Sequence, residues 1–200
     1  MQLTPVLASE AIEKAPQDEK GYKLFTVQEL DWFSNNSYSL GRQYCGAWSL
    51  ENTIRIFRSC LSILGHYPAD VPADDAKDIS LKSMCCHFVA AAAFVSLART
   101  EDSTEERQEK YGKLRKHVAK FDEELQKHIE QLEPDVLEDL LGKFATLLIF
   151  DFESAVALQM WDDLREIIAK ATASEDAGAY KAMADCLLRA SDVPGRGKYH

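Results

Sequence analysis

Apolar residues recur at intervals of three and four along almost the whole 200-residue chain, which is the period of an α-helix. Runs of alternating β-branched residues, which would indicate strands, are nearly absent. The clearest interruption lies at 67–78, where two prolines and four aspartates form a break between helical segments. The sequence therefore predicts an all-α fold.

Capping residues mark where several of these helices begin. Thr26 followed by Glu29 predicts a capping box, and Ser49 predicts the start of the next helix. Pro134 predicts another start, because the missing amide hydrogen costs nothing in a first turn. The predicted helices cover 4–15, 26–45, 49–65, 79–99, 104–132, 134–158, 161–171 and 175–190.

We predict three parts along the chain: a short N-terminal helix with a polar linker over 1–23, one helical domain over 24–190, and a flexible tail over 191–200. A hydrophobic content of 46% is enough for a core. No apolar run reaches the roughly 20 residues that span a bilayer, so we expect no membrane contact.

The net charge and the cysteines limit the function further. A formal charge of −10 argues against a protein whose main task is to hold nucleic acid, because phosphate binding needs a basic face. Five cysteines without paired spacing indicate reduced thiols in an intracellular compartment.

Six residues on the helices predicted at 26–45 and 49–65 match a repeat pattern. They are Leu40, Gly41 and Tyr44 on the first helix and Thr53, Phe57 and Cys60 on the second. At these offsets, tetratricopeptide repeats place a glycine for close helix approach and aromatic rings in the gap between helices. A weaker match begins at Trp161. An ordinary antiparallel helix pair with a glycine contact remains the alternative.

Several short segments also occur in the order found in one family. They are Glu29–Phe33, Tyr44 and Trp48, Ser96–Arg99, Leu147–Glu153, Trp161–Leu164 and Tyr180–Asp185. Over residues 24–190 the chain resembles the C-terminal part of the fungal Spo-twenty-two/Zip-four family of meiotic, sporulation-specific tetratricopeptide proteins. The resemblance implies an α-solenoid scaffold in the nucleus that holds other meiotic proteins on chromosomes during synapsis and crossover formation. It assigns no single binding residue.

Two groups of residues suggest metal chemistry. Asp74, Asp75 and Asp78 spell an aspartate-rich motif that holds magnesium diphosphate in some helical enzymes, but they lie in a proline-rich loop, which favours a solvated acidic loop. Cys85, Cys86 and His87 are consecutive, so on a helix they point about 100° apart and do not close one tetrahedral zinc site.

A basic cluster lies within the helix predicted at 104–132. Its members are Lys110, Lys113, Arg115, Lys116, His117 and Lys120. Acidic residues on the same helix favour i,i+4 ion pairs on a solvated face over contact with DNA or a partner, which remains the alternative for Lys113–Lys120. Tyr111, Leu114, Val118, Phe121 and Leu125 fall at heptad spacing and predict one apolar seam.

Large rings and amides on one helix suggest a partner-binding surface. Trp32 is offset from the predicted core face, close to Asn35 and Asn36, and Trp161 is a second candidate anchor. For both tryptophans, packing within the protein is the alternative.

We therefore predict antiparallel helical hairpins stacked as a tetratricopeptide-like α-solenoid. The predicted function is non-catalytic scaffolding of meiotic chromosome-axis or crossover proteins in the nucleus, with no cofactor, metal or small-molecule substrate. The alternatives are a small metal-dependent helical enzyme that uses Asp74, Asp75 and Asp78, and a helical adaptor unrelated to meiosis.

Overall fold

Seven α-helices make up most of the computed structural model, which describes residues 25–173 and 177–191 and contains no strand within them. Short 3₁₀ turns follow α4 at Ile129–Gln131 and precede α6 at Trp161–Asp163. The helices are α1 (Val27–Tyr44), α2 (Leu50–Leu64), α3 (Ala73–Thr100), α4 (Thr104–His128), α5 (Pro134–Ala157), α6 (Leu164–Ala173) and α7 (Ala177–Ser191). The predicted all-α class is confirmed.

The predicted starts of α1, α2 and α5 are confirmed. The Thr26 amide donates to the Glu29 carboxylate at 2.8 Å, and the Glu29 amide donates back to the Thr26 hydroxyl at 3.3 Å, which completes the capping box. Ser49 accepts from the amide of Asn52 at 3.3 Å. Pro134 occupies the first turn of α5.

Three other helix starts differ from the prediction. The segment predicted as a helix from residue 161 begins with the 3₁₀ turn Trp161–Asp163, and α6 itself begins at Leu164. The third helix begins at Ala73 rather than at residue 79, because Asp74 and Asp75 stabilise a first turn by facing the positive end of the helix dipole. Ser103, not Thr104, caps α4, and its hydroxyl accepts from the Glu106 amide at 3.4 Å. The helix predicted at 4–15 and the predicted tail beyond residue 191 lie outside the described residues.

The chain divides into two compact units. Unit 1 is Met1–Ala93 and unit 2 is Phe94–His200, with the boundary inside α3. That helix is long and apolar enough to cross a membrane by length and composition alone, a test that core helices of soluble proteins also pass. Met84 and Val95 of α3 are buried within the protein.

In unit 1, α1 and α2 pack antiparallel around a close approach of their backbones. A Cβ atom added to Gly41 would lie 2.8 Å from Cζ of Phe57, a side chain with no exposed surface. Leu30, near the start of α1, packs against Ile63 near the end of α2. Glycine at position 41 is therefore what lets the Phe57 ring lie between the two helices.

Five of the six repeat-pattern residues are buried or half-buried. Gly41, Thr53, Phe57 and Cys60 are buried, and Leu40 is half-buried.

Tyr44 differs from the prediction that its ring fills the gap between the helices. The ring is exposed at the end of α1 and stacks on Trp48, with the ring centroids 5.2 Å apart. The gap is already occupied by the Phe57 ring, which lies against Gly41.

In unit 2, α4 and α5 pack antiparallel, and α5 also contacts α6 and α7. The apolar seam predicted on α4 is confirmed, because its five members are the buried residues of that helix: Tyr111, Leu114, Val118, Phe121 and Leu125. Phe121 stacks on Phe144 of α5 with ring centroids 6.0 Å apart. Burial of these side chains is the main source of stability for the pair.

Candidate protein-binding surfaces

An open groove lies in unit 2, where the end of α4 faces the start of α5. We call it the α4–α5 groove; its volume is about 940 Å³. Most of its lining is apolar, and the hydrophobic members are Leu125, Ile129, Pro134, Leu137, Leu141, Phe144 and Ala145. The Leu141 side chain is 38% exposed, although Leu140 beside it is buried in the core. This groove was not predicted from the sequence.

Gly142 lines the groove and, because it has no side chain, leaves open space in the groove wall. A Cβ atom added there would meet no atom within 4 Å, so the space beside this glycine is open. Glycine in a helix interior costs about 0.5–1 kcal/mol relative to alanine. Gly112 in α4 has equally open surroundings but does not line the groove.

Negative charge surrounds the α4–α5 groove. The segment Asp122–Lys143, which carries most of the lining, contains eight carboxylates and two lysines, so its formal charge is −6 of the −10 on the whole chain. Lys127 is paired with Glu123 and Glu124. The α6 lysine on the rim, Lys170, pairs with Asp122 at 3.0 Å.

The α1 surface, formed by Trp32, Asn35 and Asn36, is exposed as its position on the helix suggested. Trp32 is 56% exposed and makes an edge contact with Phe33, with ring centroids 5.1 Å apart. The Asn36 amide donates to the Trp32 carbonyl at 2.6 Å, while Asn35 is exposed to solvent. Partner binding by these three residues remains a prediction.

Trp161 lies in unit 2, in the 3₁₀ turn before α6, and is 47% exposed. Gln159, two residues earlier, has a positive φ of 60°, which turns the chain sharply after α5. Trp161 and Trp32 therefore belong to different units. Its role as an anchor also remains a prediction.

A second cavity, of about 820 Å³, lies beside an ion pair in unit 2. Arg99 donates two hydrogen bonds to Glu153, at 3.0 and 2.6 Å, and the Tyr111 hydroxyl donates to the same carboxylate at 2.9 Å. Burial raises the pKa of the Tyr111 hydroxyl and of the Cys186 thiol, so both groups stay protonated at neutral pH. The charged groups here stabilise one another, which favours a structural role.

Most of the predicted basic cluster is engaged in ion pairs. Lys113 pairs with Glu109 one turn away, as predicted. Further pairs join Lys110 to Glu101 and Glu106, and Lys120 to Glu123.

Arg115 has partners that the sequence did not predict. Its guanidinium donates to Asp151 and to Asp163, both at 2.7 Å. Burial raises the pKa of the Asp151 carboxyl above its ordinary value, although the adjacent Arg115 opposes this shift. Arg115 therefore links α4 to α5 and to the turn before α6.

The two groups considered for metal binding both lie on α3. The side chains of Asp74, Asp75 and Asp78 are exposed at the start of α3. Cys86 is buried, and its hydrogen bond with Cys60 together with burial raises the pKa of its thiol well above the ordinary value. Within residues 25–173 and 177–191, no three His, Cys, Asp or Glu side chains are grouped so as to hold a metal ion.

Comparison with known proteins finds no matching family model, no matching curated protein and no matching solved structure. The resemblance to the meiotic family therefore remains a prediction.

Proposed function

We propose that this protein is a non-catalytic helical scaffold that binds other proteins through the α4–α5 groove. The observation that carries the proposal is the groove itself: an open, mainly apolar space of about 940 Å³ between two helices. Contiguous apolar surface open to water favours binding, because covering it removes that surface from solvent. Grooves between helices receive amphipathic helices of partners through rows of apolar anchors.

The charged groups of unit 2 support a scaffold over an enzyme. Glu153 accepts hydrogen bonds from Arg99 and Tyr111, and Asp151 accepts one from Arg115. These carboxylates therefore already form contacts between helices. A catalytic acid or base needs instead to reach a substrate proton.

We also propose that the helices stack as in tetratricopeptide repeats. Support comes from the antiparallel α1–α2 pair, in which Gly41 and Phe57 make the close contact expected at those repeat positions. The proposed setting is the nucleus, with meiotic chromosome-axis or crossover proteins as partners. That setting rests on the family resemblance of residues 24–190.

The test is a pull-down from meiotic cell extract with the 200-residue chain and its variants, with bound proteins identified by mass spectrometry. Leu141→Asp places a charge in the groove. Leu187→Asp is the matched control, because Leu187 is 42% exposed on α7 and does not line the groove. We expect the same set of proteins on wild type and Leu187→Asp, and loss of that set on Leu141→Asp.

The outcomes separate the parts of the proposal. Equal capture by Leu141→Asp and wild type contradicts binding through the groove. Loss on Trp32→Ala instead would place the binding site on the α1 surface. Capture of general cytosolic proteins alone contradicts the meiotic setting.

The metal-dependent alternative has its own test. If Asp74, Asp75 and Asp78 formed a magnesium site, titration of the protein with Mg²⁺ would release or absorb heat in a calorimeter, and Asp75→Asn would remove that signal. We expect no heat of binding from either protein, because the three side chains are exposed along one helix start.

A further inference from the structure

We propose that the partner of the α4–α5 groove is an amphipathic helix whose apolar stripe is flanked by lysine or arginine. This inference rests on the proposed function of the groove as a protein-binding site. It goes beyond it by stating the chemistry that the partner must carry.

Several carboxylates around the groove form no ion pair with the lysines and arginines that the structure describes. Among the described residues, no ion pair involves Glu130, Glu133, Asp135 or Glu138. Glu138 lines the groove, and the other three are next to its lining residues in sequence. Both lysines of the segment are already paired, Lys127 with Glu123 and Glu124, and Lys143 with Asp139. Within the described part of unit 2, these four carboxylates therefore have no compensating cation.

The apolar lining and the acidic rim of the groove each favour a different feature in a partner. The apolar lining favours leucine-like side chains spaced three and four residues apart on one helix face. Lysine and arginine on the flanks of that face lay their methylene stems on apolar surface and hold their charges near the rim carboxylates. An acidic helix, a nucleic acid or an anionic membrane would meet like charge at the rim and be repelled.

The probe is a fluorescein-labelled synthetic peptide of about 18 residues, or about five helical turns, with leucines on one face and lysines on its flanks. A second peptide carries glutamate in place of every lysine, and a third has the first composition in scrambled order. Binding to the full chain is followed by fluorescence anisotropy. We expect the lysine peptide to bind at least about 10-fold more tightly than either control, and this preference to shrink in 1 M NaCl, where the Debye length is about 3 Å.

Two glycine variants test whether the peptide occupies the groove. Gly142→Leu fills open space in the wall, and Gly112→Leu is the matched control on α4. Both changes replace glycine by a better helix former where there is room, so both variants should fold, as far-ultraviolet circular dichroism will verify. We expect Gly142→Leu to weaken lysine-peptide binding at least about 10-fold and Gly112→Leu to leave it unchanged.

A charge variant tests the rim directly. Glu138→Lys should weaken the lysine peptide and strengthen the glutamate peptide, because Glu138 is exposed on the lining. Equal binding of the lysine and glutamate peptides, both lost in Gly142→Leu, would overturn the basic partner but leave the groove as a binding site.

Equal binding of the scrambled peptide would reduce the effect to general attraction between opposite charges and overturn the inference. Failure of every peptide to bind also overturns it. In that case the pull-down with Leu141→Asp still decides separately whether the groove binds a protein.

Discussion

Different kinds of contact stabilise the helix packing inside each of the two units. In unit 1, α1 and α2 meet through shape, with the buried Phe57 ring against Gly41. The Tyr67 hydroxyl, just beyond the end of α2, donates to Asp31 of α1 at 2.7 Å. In unit 2, charged side chains join helices far apart in sequence, as in the pairs Arg99–Glu153 and Arg115–Asp151.

This difference has a physical consequence. A close-packed contact such as Gly41–Phe57 is sensitive to one added or removed carbon but does not change with pH. A partly buried ion pair tolerates small changes in shape, but its strength depends on pH. Both groups have lost hydrating water, and only their attraction as charged groups offsets that loss.

Removing the Phe57 ring should most strongly destabilise unit 1. Phe57→Ala deletes a side chain with no exposed surface, and we expect a loss of about 3–5 kcal/mol in the free energy of unfolding. Phe150→Ala in unit 2 is the control, since Phe150 is only half-buried. Urea denaturation gives the magnitude, and hydrogen exchange should show faster opening in α1 and α2. A loss no larger than that of Phe150→Ala would contradict the central role of the ring.

Breaking the Arg115 network should destabilise unit 2 in a pH-dependent way. The Arg115 and Asp151 side chains are 21% and 13% exposed, so Arg115→Met leaves a mostly buried carboxylate without its partner. We expect a loss of about 2–3 kcal/mol near pH 7, which is below the figure for fully buried pairs. Urea denaturation of wild type and variant at several pH values measures it.

The sign of the pH effect follows from Asp151. Burial raises the pKa of this carboxyl in the folded protein above its unfolded value, and loss of Arg115 raises it further. The folded variant then binds the proton more tightly than the unfolded chain, so its stability falls as pH rises through the folded pKa. Arg115→Met should therefore be closer to wild type at pH 4 than at pH 7. A pH-independent deficit would show that lost packing, not charge, dominates.

Two glycine-to-alanine changes should act in opposite directions. Gly41→Ala places a Cβ atom 2.8 Å from Phe57 Cζ, and we expect a net loss of about 1–2 kcal/mol, because overpacking outweighs the gain in helix propensity. Gly142→Ala has open space and should gain about 0.5–1 kcal/mol. Thermal unfolding of both variants measures the difference.

A double variant shows whether the ring causes the Gly41→Ala effect. Phe57→Leu shortens the side chain that the new methyl group meets, so Gly41→Ala should cost less in that background than alone. Additive losses would show that the crowding lies elsewhere.

The smallest effect concerns an exposed charge cluster on α4. Hydrogen bonds from Lys120 and Lys127 lower the pKa of the Glu123 carboxyl to about 2. Lys127→Ala should raise that pKa, which an NMR titration of the carboxyl carbon measures directly. Because the folded pKa is depressed, any stabilisation is present above the unfolded pKa and is lost as pH falls towards 2. An unchanged Glu123 pKa would show that Lys127 contributes nothing.

The local features of the fold were predictable, whereas the site was not. The capping box at Thr26, the proline start of α5 and the α4 seam depend on residues within a few positions of one another. The Gly41–Phe57 contact was predictable because a repeat pattern couples two adjacent helices. Tyr44 stayed exposed because Phe57 already fills that space.

By itself, the sequence determined that the chain is helical, where α1, α2 and α5 begin, and which face of α4 is buried. Those properties follow from helix propensity, capping and periodicity, which act over one or two turns. The tertiary structure decided which charges pair across helices and where an apolar groove stays open. Arg115 meets a carboxylate 48 residues away, and the α4–α5 groove is a space between two helices. Such pairings depend on how far apart folded helices lie, which only packing establishes.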